Sequence, residues 1–211
     1  MIPYFRKEAR EFVSWAQLQQ DIINGESPLE SFDQILIRLK NAELVMLTVG
    51  HDEKGKTYFC FEDCINEERF MNPTWTNEGG WAATDMRRWL NNTFFDLLPD
   101  ELQAVIKPTR IVQIIDGKQV MTEDNIFLFS KTQMFGKGDW SDIEPEDTHI
   151  DIFNTEKQRV KECGKHGTWW YWLRSPNSGN SNYFCLVSYS GNAYNYYASS
   201  YRGVAPGFCI A

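Results

Sequence analysis

Apolar positions along this chain keep a helical period at first and then switch to the short alternations of strands. Phe5, Ala9, Phe12 and Ala16 recur at helical spacing, which predicts a helix over residues 5–24 that Gly25 stops. A second short helix is predicted after Ser31, with Gln34 completing a capping box and Ile35, Leu36 and Leu39 turned inward. From Leu44 the pattern shortens. Leu44–Val49 and Thr57–Phe61 flank the loop His51-Asp52-Glu53-Lys54-Gly55 and read as a hairpin. Thr84 is placed to cap a helix running through Leu98, with Trp89, Leu90 and Phe94 facing a core, and Pro99 opens another through Ile106. Arg110–Ile115 and Gln119–Met121 meet across Asp116-Gly117, a strong two-residue turn signal. Ile126–Phe129 reads as a short buried strand, and residues 137–167 as polar, acidic loop. Strands follow at Thr168–Leu173, Tyr183–Tyr189, Ala193–Tyr197 and Phe208–Ile210, with Ser190-Gly191-Asn192 as a tight turn. The expected class is α+β: short antiparallel strands, two core helices, and a helical extension over residues 1–41 ahead of a main domain at 42–211.

Trp169-Trp170-Tyr171-Trp172 puts aromatic side chains on both faces of one predicted strand. A strand buried on both sides explains that better than a sugar-stacking platform. Trp170, Trp172 and Phe208 are therefore expected in the core, and the residues around Gly191 at the solvent face.

The segment behind these tryptophans is unlike the rest. Of the twenty-five residues from Asn177 to Tyr201, seventeen are Asn, Ser or Tyr, and there is no Lys, Asp or Glu from Trp172 onward. Tyr supplies large rigid contact area at low entropic cost, and Ser and Asn supply adaptable hydrogen bonds, as in antibody contact loops. Apolar anchors at both ends, Trp169–Leu173 and Val204–Ile210, argue against a disordered low-complexity tail. An ordered display surface is expected, ahead of a plain sheet with Tyr on one face.

Net charge is -8 and pI about 5.0, so no basic stripe offers itself to a phosphate backbone and no nucleic-acid partner is expected. No apolar run reaches membrane-spanning length, and Met1–Phe12 has no signal-peptide core. Synthesis in the cytoplasm follows as the expectation. The cysteines, Cys60, Cys64, Cys163, Cys185 and Cys209, are odd in number and scattered, which predicts five buried free thiols rather than a disulfide framework or zinc site.

Catalytic constellations are weak. His51, His149 and His166 fall in predicted loops far apart in sequence. Cys163 and His166 are near enough for a nucleophile and base, but two loop residues are the simpler account. Asp139, Asp142, Glu144, Glu146, Asp147 and Asp151 lack calcium-loop spacing and read as a solvated acidic loop. No metal, no cofactor and no catalytic residue is expected.

Trp-Leu-Arg-Ser-Pro at 172–176, followed by strand, Gly turn, strand and Gly-Val-x-Pro at 203–206, resembles the C-terminal signature of a bacterial and phage family with a C-type-lectin-like fold. Thr84-Asp85-Met86-Arg87-Arg88-Trp89-Leu90-Asn91 and Ile126-Phe127-Leu128-Phe129-Ser130 are similar to that family too, although Ala205 stands where its pattern carries Arg. Within the family, the tail resembles the variable region of a diversity-generating retroelement target protein. Such elements mutate adenines, and AAY codons for Asn then yield Tyr or Ser. The resemblance implies a ligand-binding display protein, not an enzyme, whose variable region spans about 177–202. Its binding residues would be Asn177, Ser178, Asn180, Ser181, Asn182, Tyr183, Ser188, Tyr189, Ser190, Asn192, Tyr194, Asn195, Tyr196, Tyr197, Ser200 and Tyr201, with Leu186, Ser199 and Arg202 as further positions. It implies a protein or cell-surface partner, carriage on a phage particle as one setting, and leaves a homo-oligomer open. A carbohydrate-binding lectin-like module is the first alternative. A formylglycine-generating-type oxidase is the second, since that fold's ends resemble Gly-Phe-x-x-Ala at 207–211.

Overall fold

The computed structural model describes residues 14–211. Helix α1 (Trp15–Ile23) opens them, with the Ser14 side chain accepting from the Gln17 N–H at its first turn. It buries Trp15 and Leu18, and Trp15 meets Phe59 and Phe208 edge-on at 5.6 and 6.4 Å. Gln19 ties the helix down further, its Nε2 donating to the carbonyls of Val105 and Ile210. Ala16, expected on the inner face, is exposed, because the buried stripe runs through Trp15 and Leu18. Phe5, Ala9 and Phe12 lie outside the described residues. Gly25 follows the helix at φ 74, as a stop residue should.

The second predicted helix is a strand. β1 (Gln34–Arg38) pairs antiparallel with β2 (Leu44–His51), Gln34 opposite Thr48 and Arg38 opposite Leu44. Leu36 and Arg38 are exposed while Ile37 and Leu39 are buried, a period of two. The capping-box match is a local signal. A neighbouring strand edge that satisfies a whole row of main-chain groups outweighs it. β2 and β3 (Thr57–Phe61) form the expected hairpin, Leu47 opposite Phe61 and His51 opposite Thr57, with all five residues of β3 buried.

Helix α2 (Asp85–Trp89) starts at Thr84, whose hydroxyl accepts from the Arg87 N–H at 3.1 Å. It widens into a π turn over Leu90–Phe94 and tightens into a 3-10 turn over Phe95–Leu97. Leu90 and Phe94 are buried and Trp89 is half-buried. α3 (Asp100–Gln103) begins just after Pro99. β4 (Thr109–Ile115) and β5 (Lys118–Asp124) pair across Asp116 and Gly117, both at positive φ, as a type I′ turn needs. β6 (Phe127–Leu128) is buried, and α4 (Lys131–Phe135) carries a full capping box between Ser130 and Gln133. α5 (Glu156–Arg159) carries another between Thr155 and Gln158.

The last four strands are β7 (Tyr171–Pro176), β8 (Tyr183–Val187), β9 (Ala193–Tyr197) and β10 (Pro206–Phe208). They build two sheets. β7, β8 and β9 form one in that order, and β10 enters the other, ordered β1-β2-β3-β10-β6. The C-terminal strand therefore sits inside the larger sheet, Gly207 opposite both Cys60 and Phe127. A Cβ at Gly207 would lie 2.3 Å from the Phe129 ring, so this position admits no side chain. The class is α+β, with small antiparallel sheets and short helices, and the buried residues of both sheets and α1 share one hydrophobic core.

β7 is buried along its whole length. Arg174 on it is 1% exposed and donates to the Leu128 carbonyl and Gln133 Oε1 at 2.7 and 2.8 Å. It pairs with Asp147 and lies 3.5 Å from Glu144 Oε1. Glu144 is buried and also accepts from Gln113 Nε2 and Ser175 Oγ. Asp151 accepts from Ser31 and the His51 N–H, and Glu146 pairs with Arg110. The acidic stretch is thus not a plain solvated loop. Glu144, Glu146, Asp147 and Asp151 answer cations and donors that lie far away in sequence, while Asp139 and Asp142 are exposed as a solvated loop would have them.

Two expectations about cysteine and tryptophan are corrected. Cys64 and Cys163, 99 residues apart in sequence, form a disulfide with their Cα atoms 4.7 Å apart. Spacing along a chain says nothing about such a pairing, which the contact of the Cys64 N–H with the Glu162 carbonyl sets up. Cys60, Cys185 and Cys209 are free and buried. Alkylation of the unfolded, unreduced protein should modify these three thiols, and all five cysteines after reduction. Mass spectrometry finding five modified thiols without reduction would show the bond to be absent. Trp172 and Phe208 are core residues, but Trp170 is half-buried, because the register ends short of it and its ring lies under the tyrosines of β9.

Candidate functional site

The tail folds into a loop, a turn and an edge strand around β8. Phe184, Cys185, Leu186 and Val187 are buried between β7 and β9, so Leu186 offers no contact surface. β9 is covered on one side only, and its tyrosines spread outward. Tyr194 packs edge-on against Trp170 at 5.0 Å, Tyr196 at 6.4 Å, and Tyr189 stacks on it at 6.3 Å. Tyr197 contacts Tyr183 and Tyr196 at 4.7 and 5.6 Å and Trp75 at 5.3 Å. Tyr201 stands against Phe70 at 5.3 Å. Trp75, Tyr189, Tyr194 and Tyr201 are 65%, 57%, 52% and 56% exposed. So many large aromatics rarely stand exposed together unless something covers them. Arg202 lies over Tyr196 at 4.5 Å and over Trp170 at 5.8 Å, which adds a cation to the patch.

The loop of Asn177, Ser178, Asn180, Ser181 and Asn182 joins β7 to β8. Asn77 clamps it: Nδ2 donates to the carbonyls of Asn177, Asn180 and Tyr183, and its N–H donates to Ser181. Asn177 and Asn180 spend their side-chain oxygens on the N–H groups of Gly179 and Asn182. Ser178 and Ser181 remain exposed. Ser199 and Ser200 are half-buried behind β9.

The turn between β8 and β9 differs from expectation. Ser188 is buried, and its hydroxyl accepts from the Asn192 N–H and meets Ser190 Oγ. Gly191 is buried as well, at φ 82, with its carbonyl accepting from Arg159 Nε at 2.9 Å. A Cβ there would fall 2.0 Å from the Glu156 carbonyl oxygen. The turn is seated on α5, and of its predicted contacts Tyr189, Ser190 and Asn192 are exposed. Gly191→Ala should destabilise the protein by on the order of 3 kcal/mol, from left-handed backbone strain plus a main-chain clash. A melting temperature equal to the parent's would show that the turn is free.

Sequence reasoning did not reach Trp75, Phe70 or Asn77. The signal available was a lone Trp inside the turn-rich run Asn72-Pro73-Thr74-Trp75-Thr76-Asn77. Cys163 and His166 do not form a reactive pair. Cys163 is bonded to Cys64, while His166 Nε2 lies 2.5 Å from Glu68 and the ring stacks on Trp169. Burial pushes the Cys185 thiol up to about 12, and raises those of Cys60 and Cys209, so all three are poor nucleophiles at neutral pH. A cleft of about 500 Å³ flanks the patch, between the disulfide and Tyr201, with Glu67, Glu68 and Lys165 on its walls. Among the described residues no cluster of three or more His, Cys, Asp or Glu could hold a metal ion, and no helix is long and apolar enough to cross a membrane.

The family model described as Domain of unknown function (DUF6273) matches residues 54–211, from the loop before β3 to the last residue. The chain belongs to this family. The matched span includes the whole aromatic patch, the clamp at Asn77 and the buried Arg174 network. No curated protein and no solved structure matches the chain.

Proposed function

We propose that this chain is a ligand-binding display protein, without catalytic activity, in which a C-type-lectin-like scaffold carries a surface diversified by a retroelement. The observation that carries the proposal is the contrast within one sheet. β7 and most of β8 are buried, while β9 and its flanking turns expose tyrosines around Trp170 and Trp75. Substitutions at solvent-facing positions usually change stability by less than about 0.5 kcal/mol, so such a surface can vary over an unchanged frame. Tyr side chains would anchor a protein or cell-surface partner, with Ser178, Ser181, Ser190 and Asn192 as adaptable polar contacts.

The test lies in the DNA around the gene. A reverse transcriptase should neighbour it, together with a near-copy of the 3′ end that differs at adenines within the codons for 177–202. A locus with neither would remove the retroelement from the proposal and leave a binding surface of fixed sequence.

A carbohydrate-binding module is the second reading, favoured by the exposed Trp75 against Tyr197. Glycan-array binding that Trp75→Ala abolishes would support it over a protein partner.

A further inference from the structure

β9 is the outer strand of its sheet. Two bonds fix which way its main chain points: the Ser188 N–H donates to the Asn192 carbonyl at 2.8 Å, and the Ala198 N–H to the Asn182 carbonyl at 2.9 Å. Main-chain groups alternate sides along an antiparallel pair. Tyr194 and Tyr196 therefore bond to β8, while Ala193, Asn195 and Tyr197 direct their groups away from it. The Tyr197 carbonyl is taken by the Ser200 N–H. The N–H and C=O of Ala193 and Asn195, and the N–H of Tyr197, have no protein partner among the described residues.

Edge strands normally carry a defence against pairing, such as Lys, Pro, an inward charge or a covering loop. β9 reads Ala-Tyr-Asn-Tyr-Tyr, with no Lys, Pro or charge, and among the described residues no loop bonds to the outward groups of Ala193 and Asn195. Aromatic rings flank the open edge on both faces, Tyr194 and Tyr196 with Trp170 on one, Tyr197 with Tyr183 and Trp75 on the other. Arg202 stacks on Tyr196, its Nε is buried without a hydrogen-bond partner, and among the described residues no carboxylate pairs with it.

We propose that β9 receives an extended polypeptide segment of the partner as a fourth strand of this sheet, with an acidic residue of that segment meeting Arg202 on the Tyr196 face. The proposal rests on the display function above and names its ligand class. Main-chain bonds to Ala193 and Asn195 do not depend on which side chains the tail carries. A varying surface would thus keep a constant share of its affinity, while the aromatic flanks select among sequences.

The test selects binders to the full chain from a library of random linear peptides, then measures the tightest one against variants. Asn195→Pro removes the outward N–H and no bond to β8, a substitution that edge strands tolerate. It should melt near the parent and bind the peptide roughly tenfold more weakly than Asn195→Ala, which loses the same side chain but keeps the N–H. N-methylation of the peptide should weaken binding at every second residue, and Arg202→Gln should weaken only peptides that carry the acid. Equal binding by Asn195→Pro and Asn195→Ala, or an N-methylation profile without alternation, would overturn strand addition. If Asn195→Pro does not fold, the N-methylation profile decides alone. Should a library of folded domains yield binders where linear peptides yield none, the strand proposal fails and the display function stands. Should neither library yield a binder that depends on the β9 tyrosines, both fail.

Discussion

Replacing Trp172 with Ala should unfold or aggregate the protein, whereas replacing Tyr189, Tyr194, Tyr196 and Tyr201 together with Ser should leave it folded and abolish ligand binding. Trp172 is fully buried in β7, opposite Leu186, and its Nε1 donates to the Arg69 carbonyl at 2.9 Å. Truncating such a side chain costs about 3–5 kcal/mol in lost transfer energy and cavity formation, and removes one hydrogen bond worth roughly another 1 kcal/mol, although the Arg69 carbonyl keeps the Arg202 N–H as a donor. Typical domains have about 5–15 kcal/mol in total, so one such change removes a large part of it. The four tyrosines stand on the outside of β9 and its flanks, where each loss should cost about 0.5 kcal/mol. Tyr196 is the most embedded of them, between Trp170 and Arg202, and should account for most of the decrease. Thermal melting of both variants decides the matter. A quadruple variant that collapses beside a stable Trp172→Ala would mean that the tail is core and that no display surface exists.

Arg174→Leu should destabilise the protein by about 3–5 kcal/mol at pH 8, because it leaves Glu144 and Asp147 without their buried cation. The loss should shrink as pH falls. Burial pushes the Glu144 carboxyl up to about 7, with Arg174, Ser175 and Gln113 pulling it down. A carboxyl raised in the folded state binds its proton more tightly there than in the unfolded chain. Its contribution is therefore greatest below its unfolded value of about 4.5 and is lost as pH rises through about 7. Removing Arg174 takes away the strongest downward pull, so protonation of Glu144 relieves more of the damage. Melting curves of parent and variant between pH 5 and 8 would show the gap narrowing toward acid. A gap of constant size across that range would mean that Glu144 is not the group left unpaired. A second variant, Glu144→Gln, should flatten the parent's own dependence in the same window.

Much of this architecture was legible in the residue pattern because its signals are short-range. Asp116-Gly117 specified a turn that needs two positive φ values, and Thr84 specified a helix start through one hydroxyl. The Tyr, Ser and Asn alphabet marked the exposed segment, and Ala193–Tyr197 formed the strand its alternation predicted. Signals of equal strength misled where pairing with a neighbouring strand overruled them. Gln34 matched a capping box, yet residues 34–38 pair with β2, since a strand edge satisfies more main-chain groups than one helical turn.

What the sequence by itself determined is therefore local: which stretches turn, which alternate, and which carry a contact alphabet. The tertiary structure decided how the site is assembled. It seated Gly191 on Glu156, bonded Cys64 to Cys163, clamped the Asn177–Asn182 loop from Asn77, and brought Trp75 to Tyr197. It also left the outer main-chain groups of β9 open. Each of these depends on atoms more than thirty residues apart in the chain or on which strand lies at an edge. Periodicity reports only a residue's neighbours along the chain, so it cannot supply them.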